Sequence, residues 1–176
     1  PRAFQSATML AVTEQVGSSA LRIAVPRVLF LMASAVWLGG LMFYAGVVVP
    51  VGADVLGSHR AFGFVTRLVT PWLNAIGTGV ALWMLLRLGL GGAMASPRLA
   101  RWSWGSAIGF AAVQAALWLL HPWLDALLLP GAREISDSDA FYLRHRVYLL
   151  VTTGGFVALA VHWGAVLLRW RERDRA

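Results

Sequence analysis

The sequence contains no cysteine and no lysine, and charged side chains make up only 13% of its 176 residues. Without cysteine there can be no disulfide framework, no cysteine zinc site, no iron–sulfur cluster and no thiol nucleophile. Apolar residues account for 59% of the chain, which is well above the content of a typical water-soluble domain. This composition excludes a disordered chain and argues against an ordinary soluble enzyme.

The charged residues are confined to connections between four long uncharged runs. Each run is long enough to cross a hydrocarbon core of ~30 Å at ~1.5 Å per helical residue. We therefore predict an all-α integral membrane protein that folds as a four-helix bundle. The four predicted spans are Val28–Ala53, Leu68–Leu86, Trp102–Leu124 and Val147–Leu168.

The placement of arginine predicts the topology of this bundle. Residues 28–168 form the bundle, residues 1–27 are an N-terminal arm or an interfacial helix, and residues 169–176 are a basic tail. Ten of the fifteen arginines lie in the two flanking segments and the middle connection, and five lie in the other two connections. Because cytoplasmic connections carry the basic excess, both termini are predicted in the cytoplasm of a plasma or inner membrane. No basic motif indicates nucleic-acid binding.

Small residues recur one helical turn apart in each predicted span. Lipid gives helices no hydrophobic drive to associate, so spans pack where small residues let backbones approach. We expect five glycines to pack the bundle internally, although the GxxxG pair among them has an alternative use in a homodimer. The five are Gly39, Gly79, Gly105, Gly109 and Gly154.

Polar side chains inside the spans tend to face the bundle interior, because exposing them to lipid is costly. Those in the middle and outer half of the predicted spans indicate a partly polar cavity. The alternative is that they only join helices by hydrogen bonds. The predicted cavity residues are Asn74, Gln114, Tyr148 and Thr152.

Histidine and aspartate near the outer ends of the spans suggest a metal site. His121 and Asp125 lie one turn apart, and His145 precedes the next span at a similar depth. His59 or Asp54 could supply a further ligand. Imidazole with carboxylate suits zinc or copper(II), and His121 with His145 is also the pair that could hold a haem. Arg144 and Arg146 oppose a divalent ion, so a structural network of histidine, aspartate and arginine is the favoured alternative.

Two segments resemble a known family. The first span contains Trp-Leu-Gly-Gly at residues 37–40, with Pro50 after it and Arg-Ala-Phe-Gly at residues 60–63. Together with the segment Phe141–Leu149, this resembles the uncharacterised transmembrane protein 205-like family. The Trp-Leu-Gly-Gly opening is also similar to CopD-type copper membrane proteins, but the first span here has no histidine. The resemblance implies a four-span bundle without established catalytic residues.

Three classes of function remain open. The favoured class is a non-catalytic accessory or structural subunit of a larger membrane assembly, or a homo-oligomer. The second is binding or transport of a metal ion or small solute, and the third is a haem- or quinone-associated electron-transfer subunit. Ser34 and Ser106 have no histidine within one turn, so no hydrolase is expected. The sequence requires no cofactor, and the expected partners are the lipid bilayer and another membrane subunit.

Overall fold

A computed structural model describes residues 2–90, 96–129, 131 and 134–175, with the backbone alone for residues 2–20 and residue 59. In this part of the chain, four helical segments are long and apolar enough to cross a membrane. The predicted all-α architecture is confirmed, and each segment is longer than the uncharged run that predicted it. The segments are Leu21–Val55, Arg60–Gly89, Pro97–Asp125 and Ser138–Arg173.

The first of these segments is not one regular helix, and a short hairpin joins the last two. Helix α1 begins at Arg2, so the stretch predicted as an arm or interfacial helix continues directly into the first span. The two short strands pair antiparallel within the connection between α4 and α5. In chain order the elements are α1 (Arg2–Phe43), a π-helical segment (Tyr44–Val48), α2 (Val49–Val55), α3 (His59–Gly89), α4 (Pro97–Asp125), β1 (Leu128–Leu129), β2 (Glu134–Ile135) and α5 (Ser138–Arg173).

Side-chain caps define where three helices begin. Ser58 accepts hydrogen bonds from the N–H groups of Arg60 and Ala61, which lie in the first turn of α3. Ser96 caps α4 and is followed by Pro97, whose missing N–H is not needed in the first turn. Asp137 caps α5 by accepting from the N–H of Ala140. Each cap satisfies a backbone donor that has no partner within its helix.

Pro50 explains the irregular end of the first span. In a regular helix its ring would clash with the carbonyl of Gly46, and it has no N–H to bond to that carbonyl. The chain forms the π-helical segment Tyr44–Val48 at this place, and Pro50 lies in the first turn of α2. A turn containing Gly57, with φ of 66°, then reverses the chain into α3.

Trp37 of α1 is the centre of the core, with only 1% of its surface exposed. Its ring packs edge-on against Phe110 of α4, with ring centroids 4.9 Å apart. It also packs against the tilted ring of Phe156 of α5, with centroids 5.5 Å apart. The apolar core extends from Trp37 towards the end at which α4 begins and α5 ends. Its other buried members are Phe30, Val80, Ala81, Met84, Leu88, Ala107, Phe110, Leu159 and Val166.

Candidate functional site

The two ends of the bundle differ in chemistry. We name the end where α4 finishes and α5 starts the hairpin end, and the opposite end the arginine end. At the hairpin end Arg67 donates to Asp125, with Nε 2.9 Å from Oδ2. His121 Nδ1 lies 3.6 Å from the same carboxylate oxygen. Arg144 bonds the carbonyl of Trp123 and lies over its ring, 4.5 Å from the centroid. Arg67 and Arg144 therefore each have an acceptor at this end.

The predicted metal ligands are not brought together as a set of three. Among the residues that the structure describes, no group of three histidine or acidic side chains could hold a metal ion. His121 Nε2 lies 3.2 Å from the carbonyl of Arg67. A carbonyl only accepts, so this nitrogen carries a proton and offers no lone pair to a metal or a haem iron. His145 instead stacks on Phe141, with centroids 6.0 Å apart and the rings 6° from parallel.

The predicted polar cavity is a packed contact between helices where the structure describes it. Tyr148 donates to Asn74 Oδ1 at 2.9 Å and so joins α5 to α3. Thr152 donates back to the carbonyl of Tyr148 in its own helix. Gln114 is 2% exposed, and neither of its carboxamide atoms has a hydrogen-bond partner in the described structure. Its carboxamide packs against Gly77, which leaves no room for a solute there.

Most of the glycines predicted to pack the bundle make no close contact with another helix. A methyl group added at any of four of them would meet nothing within 4 Å outside its own helix: Gly39, Gly79, Gly105 and Gly109. At Gly154 it would make only an ordinary contact, 3.9 Å from Val113. All faces of these helices are apolar, so the small-residue pattern does not reveal which face meets a neighbour.

Three other glycines of the described residues make close contacts: Gly52, where a methyl group would overlap the ring of Phe62, and the pair Gly77 and Gly155, which face Trp37. A methyl group at Gly77 would overlap Trp37 Nε1 and the carboxamide of Gln114, whose Cδ would be 2.7 Å away. One at Gly155 would lie 3.1 Å from Val113 and 3.3 Å from Trp37. Both positions therefore serve the same purpose, which is to let α3 and α5 approach the indole of Trp37.

A second polar network joins α1, α4 and α5 next to the arginine end. Ser34 of α1 accepts a bond from Trp163 Nε1 of α5 at 3.0 Å. Ser106 Oγ lies 2.6 Å from the carbonyl of Trp102 and 3.0 Å from His162 Nδ1. The hydroxyl has one proton and the close carbonyl takes it, so the histidine nitrogen is the donor to Ser106. In this arrangement the pair acts as a hydrogen bond that joins α4 to α5.

Five arginines from three helices converge on a cavity of about 140 Å³ at the arginine end. His162 lies among the residues that line it, and none of the described lining residues is acidic. The apolar part of the wall includes Phe30 and Val166. The arginines are Arg22 and Arg27 from α1, Arg87 from α3, and Arg169 and Arg173 from α5.

Asp174 binds one of these arginines from beyond the end of α5. It accepts two hydrogen bonds from Arg27, at 2.8 and 2.9 Å. These bonds hold the pKa of Asp174 below its ordinary value of 3.8. The Asp174 side chain is 57% exposed, so this ion pair is open to water and to competing anions.

A groove lies between α4 and α5 on the outside of the bundle at the same end. One part of it has a volume of about 590 Å³ and is lined by Gly105, Ala158 and Val161. The adjoining part, of about 730 Å³, is lined by Gly164 and by apolar side chains that include Leu168. Small residues thus form a shallow surface where a further helix can approach closely.

Sequence reasoning missed the arginine cavity because it assigned these arginines to topology alone. A signal was present on α5, where His162, Val166, Arg169 and Arg173 are spaced by four, three and four residues and therefore share one face. The bond between Ser106 and His162 had no such signal, since the two residues belong to different helices.

Comparison of the chain with models of known protein families, with curated proteins and with solved structures finds no match. Function is therefore inferred from the geometry of the chain's own residues. Three surfaces within the described residues bear on it: the paired charges at the hairpin end, the arginine cavity and the α4–α5 groove.

Proposed function

We propose that the chain is a non-catalytic integral membrane protein that acts as an accessory or structural subunit. It associates with a neighbouring subunit, either a second copy or another membrane protein, through the α4–α5 groove. Both termini and the arginine end face the cytoplasm of a plasma or inner membrane. A relationship to the transmembrane protein 205-like family, which rests on the motifs at residues 37–40 and 60–63, is part of this proposal.

The observation that carries this proposal is the unused GxxxG motif of α4. Gly105 and Gly109 lie one turn apart, and the bundle places nothing within 4 Å of a methyl group at either position. Such pairs let two transmembrane helices approach closely enough for their backbones to touch. Since internal packing does not use this pair, its chemistry fits a helix from outside the bundle.

The use made of the buried polar side chains supports the non-catalytic part of the proposal. Tyr148 is bonded to Asn74, and Trp163 is bonded to Ser34, in each case between two helices. The hydroxyl of Ser106 is directed to a backbone carbonyl. Hydrogen bonds of this kind hold transmembrane helices together, with about 0.6 kcal/mol as a typical contribution. These groups act as contacts between and within the helices of the bundle.

The distribution of charge supports the orientation. Arginines converge on the cavity at one end, where the described wall contains no acidic residue. At the hairpin end, Arg67 is neutralised by Asp125. In the sequence, the two flanking segments and the middle connection hold ten of the fifteen arginines and three of the eight acidic residues. The positive-inside rule assigns an end with such an excess to the cytoplasm.

The experiment places a photo-crosslinking amino acid at Ala112, which is exposed and lies one further turn along the face of Gly105 and Gly109. We expect illumination of native membranes to give an adduct of defined mass. The matched control carries the same group at Leu82 of α3, which is 56% exposed and lies away from the groove. It should give no protein adduct.

Replacing Gly105 with leucine tests whether the adduct depends on close helix approach. The bulky side chain should abolish crosslinking from Ala112, while the helical content and thermal stability of the solubilised bundle stay close to those of the unsubstituted protein. Adducts that persist in the Gly105→Leu variant, or that form equally from Leu82, would show that the groove is not a specific contact.

A further inference from the structure

We propose that the arginine cavity is a binding site for a phosphate group, carried by the head group of an anionic lipid or by a free phosphate ion. This site is separate from the α4–α5 groove and does not depend on the association proposed above. It is defined by the five arginines of α1, α3 and α5 that line the cavity.

Basic side chains dominate the wall of this cavity. Five guanidinium groups line it, and no acidic residue appears among the described residues of its wall. Like charges that share a small space repel one another. An anion inside the cavity would lower the electrostatic energy of the arginines around it, Arg22 and Arg87 among them.

The chemistry and the size of the cavity suit phosphate. A guanidinium group is planar and has five N–H donors, which match the oxygens of phosphate in paired hydrogen bonds. The cavity volume of about 140 Å³ is small beside the ~300–1,000 Å³ of sites that enclose whole metabolites. It therefore suits a phosphate group better than a larger anionic ligand.

The position of the cavity in the bundle suits a ligand from the head-group region or from water. The cavity lies at the end of the spans, where Trp170 packs against Arg27 with the guanidinium carbon 5.1 Å from the ring centroid. Tryptophan and arginine at the ends of spans lie at the depth of lipid head groups. The buried ring of His162 and the side chain of Phe30 line the cavity on the side of the bundle core. A phosphate can therefore enter from the head-group region or from water, but not from within the bundle.

Asp174 provides an internal test, because it competes for one of the arginines. Its carboxylate occupies both terminal nitrogens of Arg27 and is itself largely exposed. Asp174→Asn would remove the competing charge and release Arg27 to the bound phosphate. The substitution should therefore strengthen phosphate binding, which is the opposite of what a merely disrupted structure would do.

The experiment measures binding to the full chain in a neutral detergent. Native mass spectrometry counts phosphatidylglycerol molecules bound over a range of lipid concentrations, with phosphatidylcholine of the same acyl chains as the uncharged comparison. We expect one saturable phosphatidylglycerol site. Arg87→Gln and, separately, Arg22→Gln should each weaken it about tenfold or more, since each removes a charged donor. Asp174→Asn should bind more tightly than the unsubstituted protein.

The matched control is Arg98→Gln, which removes the same charge at the same end but from a residue outside the cavity wall. It should bind phosphatidylglycerol like the unsubstituted protein. Displacement of the lipid by millimolar inorganic phosphate would identify free phosphate as a second source of the same ligand, whereas resistance to it would restrict the site to lipid. Non-saturable binding, equal losses in Arg87→Gln and Arg98→Gln, or weaker binding in Asp174→Asn would each overturn the proposal.

Discussion

Gly77→Ala is the substitution whose effect on the free energy of unfolding follows most directly from the structure. The added methyl group would overlap the indole Nε1 of Trp37 and the carboxamide of Gln114. The Gln114 carboxamide is the end of a flexible side chain, but the indole is rigid and 1% exposed at the centre of the core. The clash therefore cannot be relieved by moving one side chain into open space.

The expected size of the effect follows from comparison with Gly79→Ala, two residues further along α3. Alanine is favoured over glycine in a helix interior by about 1 kcal/mol, and this gain applies to both variants. A methyl group at Gly79 meets nothing within 4 Å outside its own helix, so no opposing term arises there. Overpacking a closed core costs about 1–3 kcal/mol. The difference between the two variants should therefore be about 1–3 kcal/mol.

Unfolding in mixed micelles with increasing dodecyl sulfate, followed by circular dichroism, measures this difference directly. Combining Gly77→Ala with Gln114→Ala should recover part of the loss, because one of the two clashing groups is removed. The rest of the loss in unfolding free energy should persist, because the overlap with Trp37 is still present. Equal stability of Gly77→Ala and Gly79→Ala would refute the assigned approach of α3 to Trp37.

Three further expectations concern the two ends of the bundle. A reporter fused after Arg175 should read as cytoplasmic and one in the hairpin between α4 and α5 as external, and the reverse pattern would contradict the orientation. A double-mutant cycle on Arg67→Gln and Asp125→Asn should give a coupling of about 1 kcal/mol in unfolding free energy, as for a partly exposed ion pair, whereas additive losses would show no interaction. Because Arg27 lowers the pKa of Asp174, this pair stabilises the fold at neutral pH and loses that contribution as the pH falls below 3.8 towards the lowered value. Thermal unfolding of the unsubstituted protein and of Asp174→Asn should therefore differ at neutral pH and converge in acid; parallel profiles would argue against the bond.

The spans could be predicted from the sequence because lipid imposes one dominant constraint. A backbone in hydrocarbon must satisfy its own hydrogen bonds, so a long uncharged run predicts a helix. The helices extend beyond these runs, because charged residues at the ends of an uncharged run do not stop a helix. Local signals fix the true starts, as Ser96 followed by Pro97 does for α4. These signals were present in the sequence but lay outside the uncharged runs.

The contacts between helices could not be predicted in the same way. In water, the apolar face of a helix identifies its buried side, but in these spans every face is apolar and periodicity carries little information. The pattern of small residues therefore selected Gly79 where the close contact is made at Gly77. Spacing within one helix did place His121 beside Asp125, but the arginine that completes the network is Arg67 on α3. Such a partner depends on the rotation of two helices about their axes.

Arginines at the end of α5 line both the arginine cavity and the α4–α5 groove. Arg169 and Arg173 line the cavity, whereas Arg171 and Arg175 line the groove beside α4. Residues four apart share a face and residues two apart lie on opposite sides, so the end of α5 presents basic side chains to both surfaces. Loss of phosphate binding in Arg87→Gln should leave crosslinking at the groove unchanged if each surface acts independently. Loss of both would instead mean that a bound phosphate fixes the end of α5, and that the groove forms its contact only when the cavity is filled.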